Sequence, residues 1–194
     1  MQVEKAKDYV MDLLRNQLPS YLTYHDIHHT ENVVRRSLEL AAAEDINDSH
    51  QLDLLKTAAY YHDCGFINVY ENHEEEGCRI AKNVLPQFDY SDKDIEIICE
   101  MIMKTKLPQQ PKTHLEKILC DSDLDHLGRD DFNIIGDKLY REWSSIGKMH
   151  NEKEWNEIQV NFLQSHHFWT ETSRKKRQAK KEENLKELKE KLYC

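Results

Sequence analysis

Apolar residues recur at steps of three and four along nearly the whole 194-residue chain, while glycine and proline number only five and four. That spacing is the period of the α-helix and not the alternation of a half-buried strand. The chain therefore reads as all-α. Val3, Ala6, Val10 and Leu13 mark a first helix, and Val34, Leu38 and Ala41 a second. Leu54, Leu55, Ala58 and Ala59 mark a third, which runs into His62-Asp63. A fourth is expected over Glu74 to Leu85, because Pro86 disfavours helical geometry in the residue before it. Ser91 with Asp94 resembles a capping box opening a fifth helix, whose Ile95, Ile98 and Ile102 face inward.

Leu107-Pro108-Gln109-Gln110-Pro111 then breaks the chain. Leu115, Ile118 and Leu119 carry a short sixth helix into Asp121. Asp130 is placed to cap a seventh bearing Phe132, Ile135, Leu139 and Trp143, and Trp155, Ile158 and Phe162 mark an eighth. Thr172 to Tyr193 is charged almost throughout, with Leu185, Leu188 and Leu192 forming a stripe too thin for a core helix but able to dock on one. No internal repeat or Gly/Ser/Pro-rich linker divides the chain. The expected organisation is one domain over 1–170 and a charged helical extension over 171–194.

An apolar content of 39% suits a soluble globular domain with a real core. No run reaches the length of a membrane span, and Met1-Gln2-Val3-Glu4-Lys5 lacks the form of a secretory signal, so a cytoplasmic location without membrane attachment is expected. Five cysteines, Cys64, Cys78, Cys99, Cys120 and Cys194, stand at irregular spacing without a C-x-x-C, and read as free, mostly core thiols. Residues 171–194 hold nine Lys/Arg and five Glu, leaving 18 basic against 31 acidic residues in the body. An acidic body is a poor scaffold for a long polyanion, so nucleic acid is not the expected partner; a small phosphorylated substrate is. Oligomerisation is left open.

Three stretches carry the chemistry: Tyr24-His25-Asp26-Ile27-His28-His29-Thr30, His62-Asp63-Cys64-Gly65 and Cys120-Asp121-Ser122-Asp123-Leu124-Asp125. Singly, a histidine at a helix end or an aspartate before a turn is ordinary capping chemistry. Together they place imidazole, imidazole-carboxylate and carboxylate on three successive helical segments, a donor set suited to one divalent ion with positions left for water and phosphate oxygens. His28 should point about 100° away from His29 on a helix, leaving it as a substrate-contact candidate. His166-His167 with Phe168-Trp169 reads as packing, and Arg174-Lys175-Lys176-Arg177 as part of a solvated charged helix.

On these residues, over roughly 20–145, the chain resembles the HD superfamily of metal-dependent phosphohydrolases, in particular its stand-alone bacterial group. The resemblance implies a helical bundle of the HD-domain type with a metal held by His29, His62, Asp63 and Asp121, and with Asp123 as the alternative to Asp121. The native ion is not specified: Mn, Mg, Fe, Co, Ni or Zn. Within that superfamily, residues 24–30 are similar to the His-Asn-x-x-His-Ala segment of cyclic-nucleotide phosphodiesterases. That match puts His25 at the general-acid position, with Asp26 departing from the pattern. His73 stands where two-metal members carry an additional histidine, making it a second-metal or substrate candidate. Met103-Lys104-Thr105-Lys106 stands where a further histidine usually follows, which offers Lys104 as a phosphate-binding charge; Arg129 is another such candidate. The implied activity is hydrolysis of a phosphomonoester or phosphodiester in a small molecule, a nucleotide being the expected class. A diiron oxygenase of the same fold and a non-catalytic nucleotide-sensing module are the alternatives.

Overall fold

The structure, a computed structural model, describes residues 1–193, Tyr193 by its backbone alone. The expected free thiol at Cys194 lies outside the described residues. Among the described residues there is no strand, and the helices follow the apolar period: α1 Val3–Gln17, α2 Ile27–Ala43, α3 Ser49–Tyr61, α4 His73–Val84, α5 Asp92–Thr105, α6 His114–Asp123, α7 Phe132–Ser145, α8 Glu152–Ser165 and α9 Glu171–Tyr193. Short 3₁₀ turns occupy Cys64–Ile67, Leu85–Phe88 and Asp125–Gly128. No helix among the described residues is long and apolar enough to cross a membrane.

Helix starts are set by local chemistry. Ser91 and Asp94 form the expected capping box, and Thr113 with Glu116 forms a second one at α6. Asp26 caps α2 by accepting the amide of His29, which fixes the first turn that carries His29. Asp130 does not cap α7: its carboxylate pairs with Lys180 at 3.3 Å, and Asp131 precedes the helix without a side-chain capping bond.

Two apolar clusters hold the molecule together. The larger joins α1 to α6 through residues such as Val10, Leu55, Tyr61, Ile98, Ile102 and Leu119. The smaller joins the turn at Asp125–Gly128, the start of α7, α8 and α9 through Leu127, Phe132, Leu163, Phe168 and Leu188. The thin leucine stripe of α9 does dock: Leu188 is buried, with Leu185 and Leu192 beside it. Much of that docking is polar, since Asn184 donates to the carbonyls of Leu127 and Arg129, and Arg177 forks onto the buried Asp125. Gly128 permits this approach, because a Cβ there would stand 2.4 Å from the Arg177 carbonyl oxygen. Cys64, Cys78, Cys99 and Cys120 are buried free thiols.

Candidate metal centre

The C-terminal end of α3 delivers His62, whose Nδ1 meets the carbonyl of Ala59 at 2.8 Å. With Nδ1 donating there, Nε2 is the nitrogen left to offer a lone pair to a cation, the arrangement a metal ligand needs. His29, one turn into α2, brings its Nε2 to 3.4 Å from that atom. Asp63 Oδ2 lies 3.1 Å from His62 Nε2 and 3.4 Å from His29 Nε2. Asp123 Oδ1, at the end of α6, lies 3.1 Å from His29 Nε2 and 3.7 Å from His62 Nε2. The donor atoms of His29, His62 and Asp123 thus all lie within 4.8 Å of one another, and Asp63 Oδ2 stands against both imidazoles.

These separations have the size of coordination-polyhedron edges. Metal–ligand bonds of about 2.1 Å give edges of about 3.0 Å in an octahedron and about 3.4 Å in a tetrahedron. A second observation agrees: Asp63 Oδ2 is buried and has no hydrogen-bond partner, a costly state for a carboxylate oxygen that a cation would relieve. The residues present therefore fit a divalent ion. Electrostatics runs the same way. Burial penalises every charge here, yet Asp63 is held well below the usual carboxylate range by His62, and His62 well above the usual imidazole range by Asp63. The pocket is built to contain positive charge beside these carboxylates.

The order of the two aspartates is the reverse of the sequence expectation. Asp121, expected as the ligand, faces away: its carboxylate accepts from the amides of Trp169 and Thr170, both at 2.8 Å, and from the Thr170 hydroxyl at 2.6 Å. It anchors the N-terminus of α9, where a negative group is favoured. Asp123, two residues and about 200° further round the helix, is the carboxylate that meets the imidazoles.

His73 sits at the start of α4, its Nε2 3.5 Å from the other oxygen of Asp63 and 3.5 Å from Glu74 Oε1. Gly65 makes that approach feasible, because a Cβ at 65 would lie 1.9 Å from the His73 carbonyl oxygen. Phe66 contributes a common platform: the His73 ring stacks on it at 3.8 Å between centroids and the His25 ring at 4.2 Å.

His25 is oriented by a residue the sequence reading did not single out. Glu142, fully buried on α7, accepts from His25 Nδ1 at 2.5 Å, the Tyr70 hydroxyl at 2.8 Å and the amides of Tyr24 and His25 at 2.9 and 3.1 Å. Burial opposes its ionisation, but the bond and charge of His25 together with the amides of Tyr24 and His25 outweigh it and keep Glu142 below the usual carboxylate range. A signal for it exists in the sequence: Phe132, Ile135, Leu139 and Glu142 share one helical stripe, and a carboxylate inside an apolar stripe needs a partner. His126, also not singled out, is half-buried near His29, and its loss of solvent together with that neighbour lowers its pKa to about 4, so it stays neutral.

The remaining candidates lie further out. His28 is exposed and faces Glu31 at 3.8 Å. Lys104 does not line the cavity at the site, whereas Lys106 does, with Nζ held by Asn72 at 2.9 Å and Glu75 at 2.5 Å. Arg129 is engaged by Asp131 and by Asp125, which also binds Arg36 and Arg177.

An all-helical body whose helix ends converge two imidazoles and two carboxylates defines a class of protein built around a candidate divalent-metal centre. The HD-domain family model matches residues 26–127, more than half of the chain, and the chain belongs to that family. Among solved structures, a predicted HD superfamily hydrolase from an uncultured Thermotogales bacterium is similar, with a TM-score of 0.62 over 95% of this chain and 90% of the other at 22% identity. No curated protein matches. The family match ends before α7, so Glu142 and the helices α7 to α9 lie outside it.

Proposed function

We propose that the protein hydrolyses a phosphomonoester or phosphodiester bond in a small molecule, with one divalent ion held by His29, His62, Asp63 and Asp123. The observation that carries this reading is the gathering of the His29, His62 and Asp123 donor atoms, with Asp63 Oδ2 against both imidazoles, beside a cavity of about 390 Å³ that Asp63, Asp123 and His25 line. Such an ion, when bound, lowers the pKa of its water and neutralises phosphate charge. The chain's own residues supply the rest. Asp63 and Asp123 bring negative charge that balances the cation, and the Nδ1 bond to Ala59 fixes the ring of His62. Glu142 holds His25 by Nδ1, leaving Nε2 to deliver a proton to the departing oxygen. Water adds to phosphorus, the P–O bond to the alcohol breaks, the alcohol oxygen takes up that proton, and the proton that the water sheds restores His25.

His73 faces the second oxygen of Asp63 and Glu74, so it is placed to contact the phosphoryl group or to share a weaker second ion through Asp63. The hydrolase description of the structural neighbour supports the same reading. The test is phosphate release from a panel of phosphoesters, nucleotides included, in the presence of manganese, magnesium, cobalt or nickel. Release is expected with at least one metal and should be lost in His62→Ala and Asp123→Ala. Turnover persisting in both variants overturns the proposal.

A further inference from the structure

The cavity has two chemically different walls. One is the metal side, with Asp63, Asp123, His25 and His73; the other comes from α7 and α8, with Ile135, Leu139, Trp143, Trp155, Ile158 and Phe162. Ile135, Leu139, Trp143 and Ile158 belong to neither apolar cluster that holds the fold together, and all four are only partly buried. Apolar side chains without a core to fill, turned to a cavity continuous with a catalytic centre, are what a binding wall for an apolar group looks like.

A nucleotide would need partners for its base and ribose. On α7 and α8 the cavity lining offers one polar side chain, that of Gln159, and base or sugar groups buried there without partners are penalised. The cationic side chain at the cavity is Lys106, already held by Asn72 and Glu75, so a polyphosphate is poorly served too.

Resting on the phosphohydrolase reading above, we infer that the substrate is a phosphoester of an apolar alcohol, its hydrocarbon seated between α7 and α8 and its phosphate at the metal side. The experiment is a homologous series of ethyl, butyl, hexyl and octyl phosphate, run beside nucleoside and sugar monophosphates on the metal-loaded protein. Each added methylene that enters the cavity should raise kcat/KM about fourfold until the cavity is full. Leu139→Asn and Ile158→Asn, at partly buried positions outside both cores, should flatten that rise through KM. Independently of turnover, hexyl phosphate should saturably shift the fluorescence of Trp143 and Trp155 in the metal-free protein, and ethyl phosphate should not.

A flat alkyl series, or nucleotides preferred over hexyl phosphate, overturns the substrate class while leaving the hydrolase in place. Should no ester release phosphate under any metal, the hydrolase reading fails; the fluorescence titration then still decides, its absence refuting the apolar site and its presence retaining the site without the reaction.

Discussion

Replacing Glu142 by glutamine tests the least expected part of the site. The carboxylate accepts four hydrogen bonds while fully buried: two backbone amides on Oε2, and His25 Nδ1 and the Tyr70 hydroxyl on Oε1. In Glu142→Gln the amide oxygen can still serve the two backbone donors, and the new NH₂ can donate to the Tyr70 oxygen. What that NH₂ cannot do is accept from His25 Nδ1. One charge-assisted bond is lost, about 2–3 kcal/mol, equivalent to a fall of about 5–10 °C in Tm for a chain of this size. His25 can then no longer be held as a proton donor, so kcat should fall by about 10²- to 10⁴-fold. Because the folded-state pKa of Glu142 is lowered, its stabilisation is present above the unfolded carboxylate pKa and is lost as pH falls through the folded value. The Tm gap between wild type and Glu142→Gln should therefore be full at about pH 7 and shrink below about pH 4. Calorimetry across that range and steady-state kinetics at neutral pH read both effects. Unchanged kcat in a stable Glu142→Gln protein would refute the role given to His25.

Further outcomes follow from the geometry. Gly65→Ala must drive the start of α4 away, since no rotamer relieves a clash of a Cβ with backbone; a loss of more than about 2 kcal/mol by denaturant titration is expected, and an unchanged midpoint contradicts the packing. Asp121→Asn should loosen α9 by about 1–2 kcal/mol yet leave metal content intact, whereas Asp123→Asn should lose the ion; elemental analysis separates them, and the opposite pattern restores Asp121 as ligand. Removing metal with a chelator should lower stability by about 2.7 kcal/mol relative to protein held at a hundredfold excess over Kd, measured as a Tm shift reversed by re-addition.

The helical period made the fold legible, because α1 to α6 bury faces whose apolar spacing is local information and α7 and α8 carry the same spacing towards the cavity. The imidazoles were equally legible, since His62-Asp63 and the His25–His29 stretch announce themselves by type. The choice between Asp121 and Asp123 was not: it depends on the N-terminus of α9, nearly fifty residues on, arriving at Asp121 and occupying its carboxylate. Lys104 and Lys106 pose the same difficulty, two residues apart where the end of α5 decides which side chain turns to the cavity. Upstream of its leucine stripe the inner face of α9 was hidden for another reason: Arg177, Lys181 and Asn184 set polar groups against partners distant in sequence, which no apolar spacing marks.

The most direct test is an anomalous-scattering map from crystals grown with manganese. A single dominant peak is expected within about 2.0–2.3 Å of His29 Nε2, His62 Nε2, Asp63 and Asp123 together. A peak coordinated by Asp121 instead, or no peak at these four residues, would contradict the account.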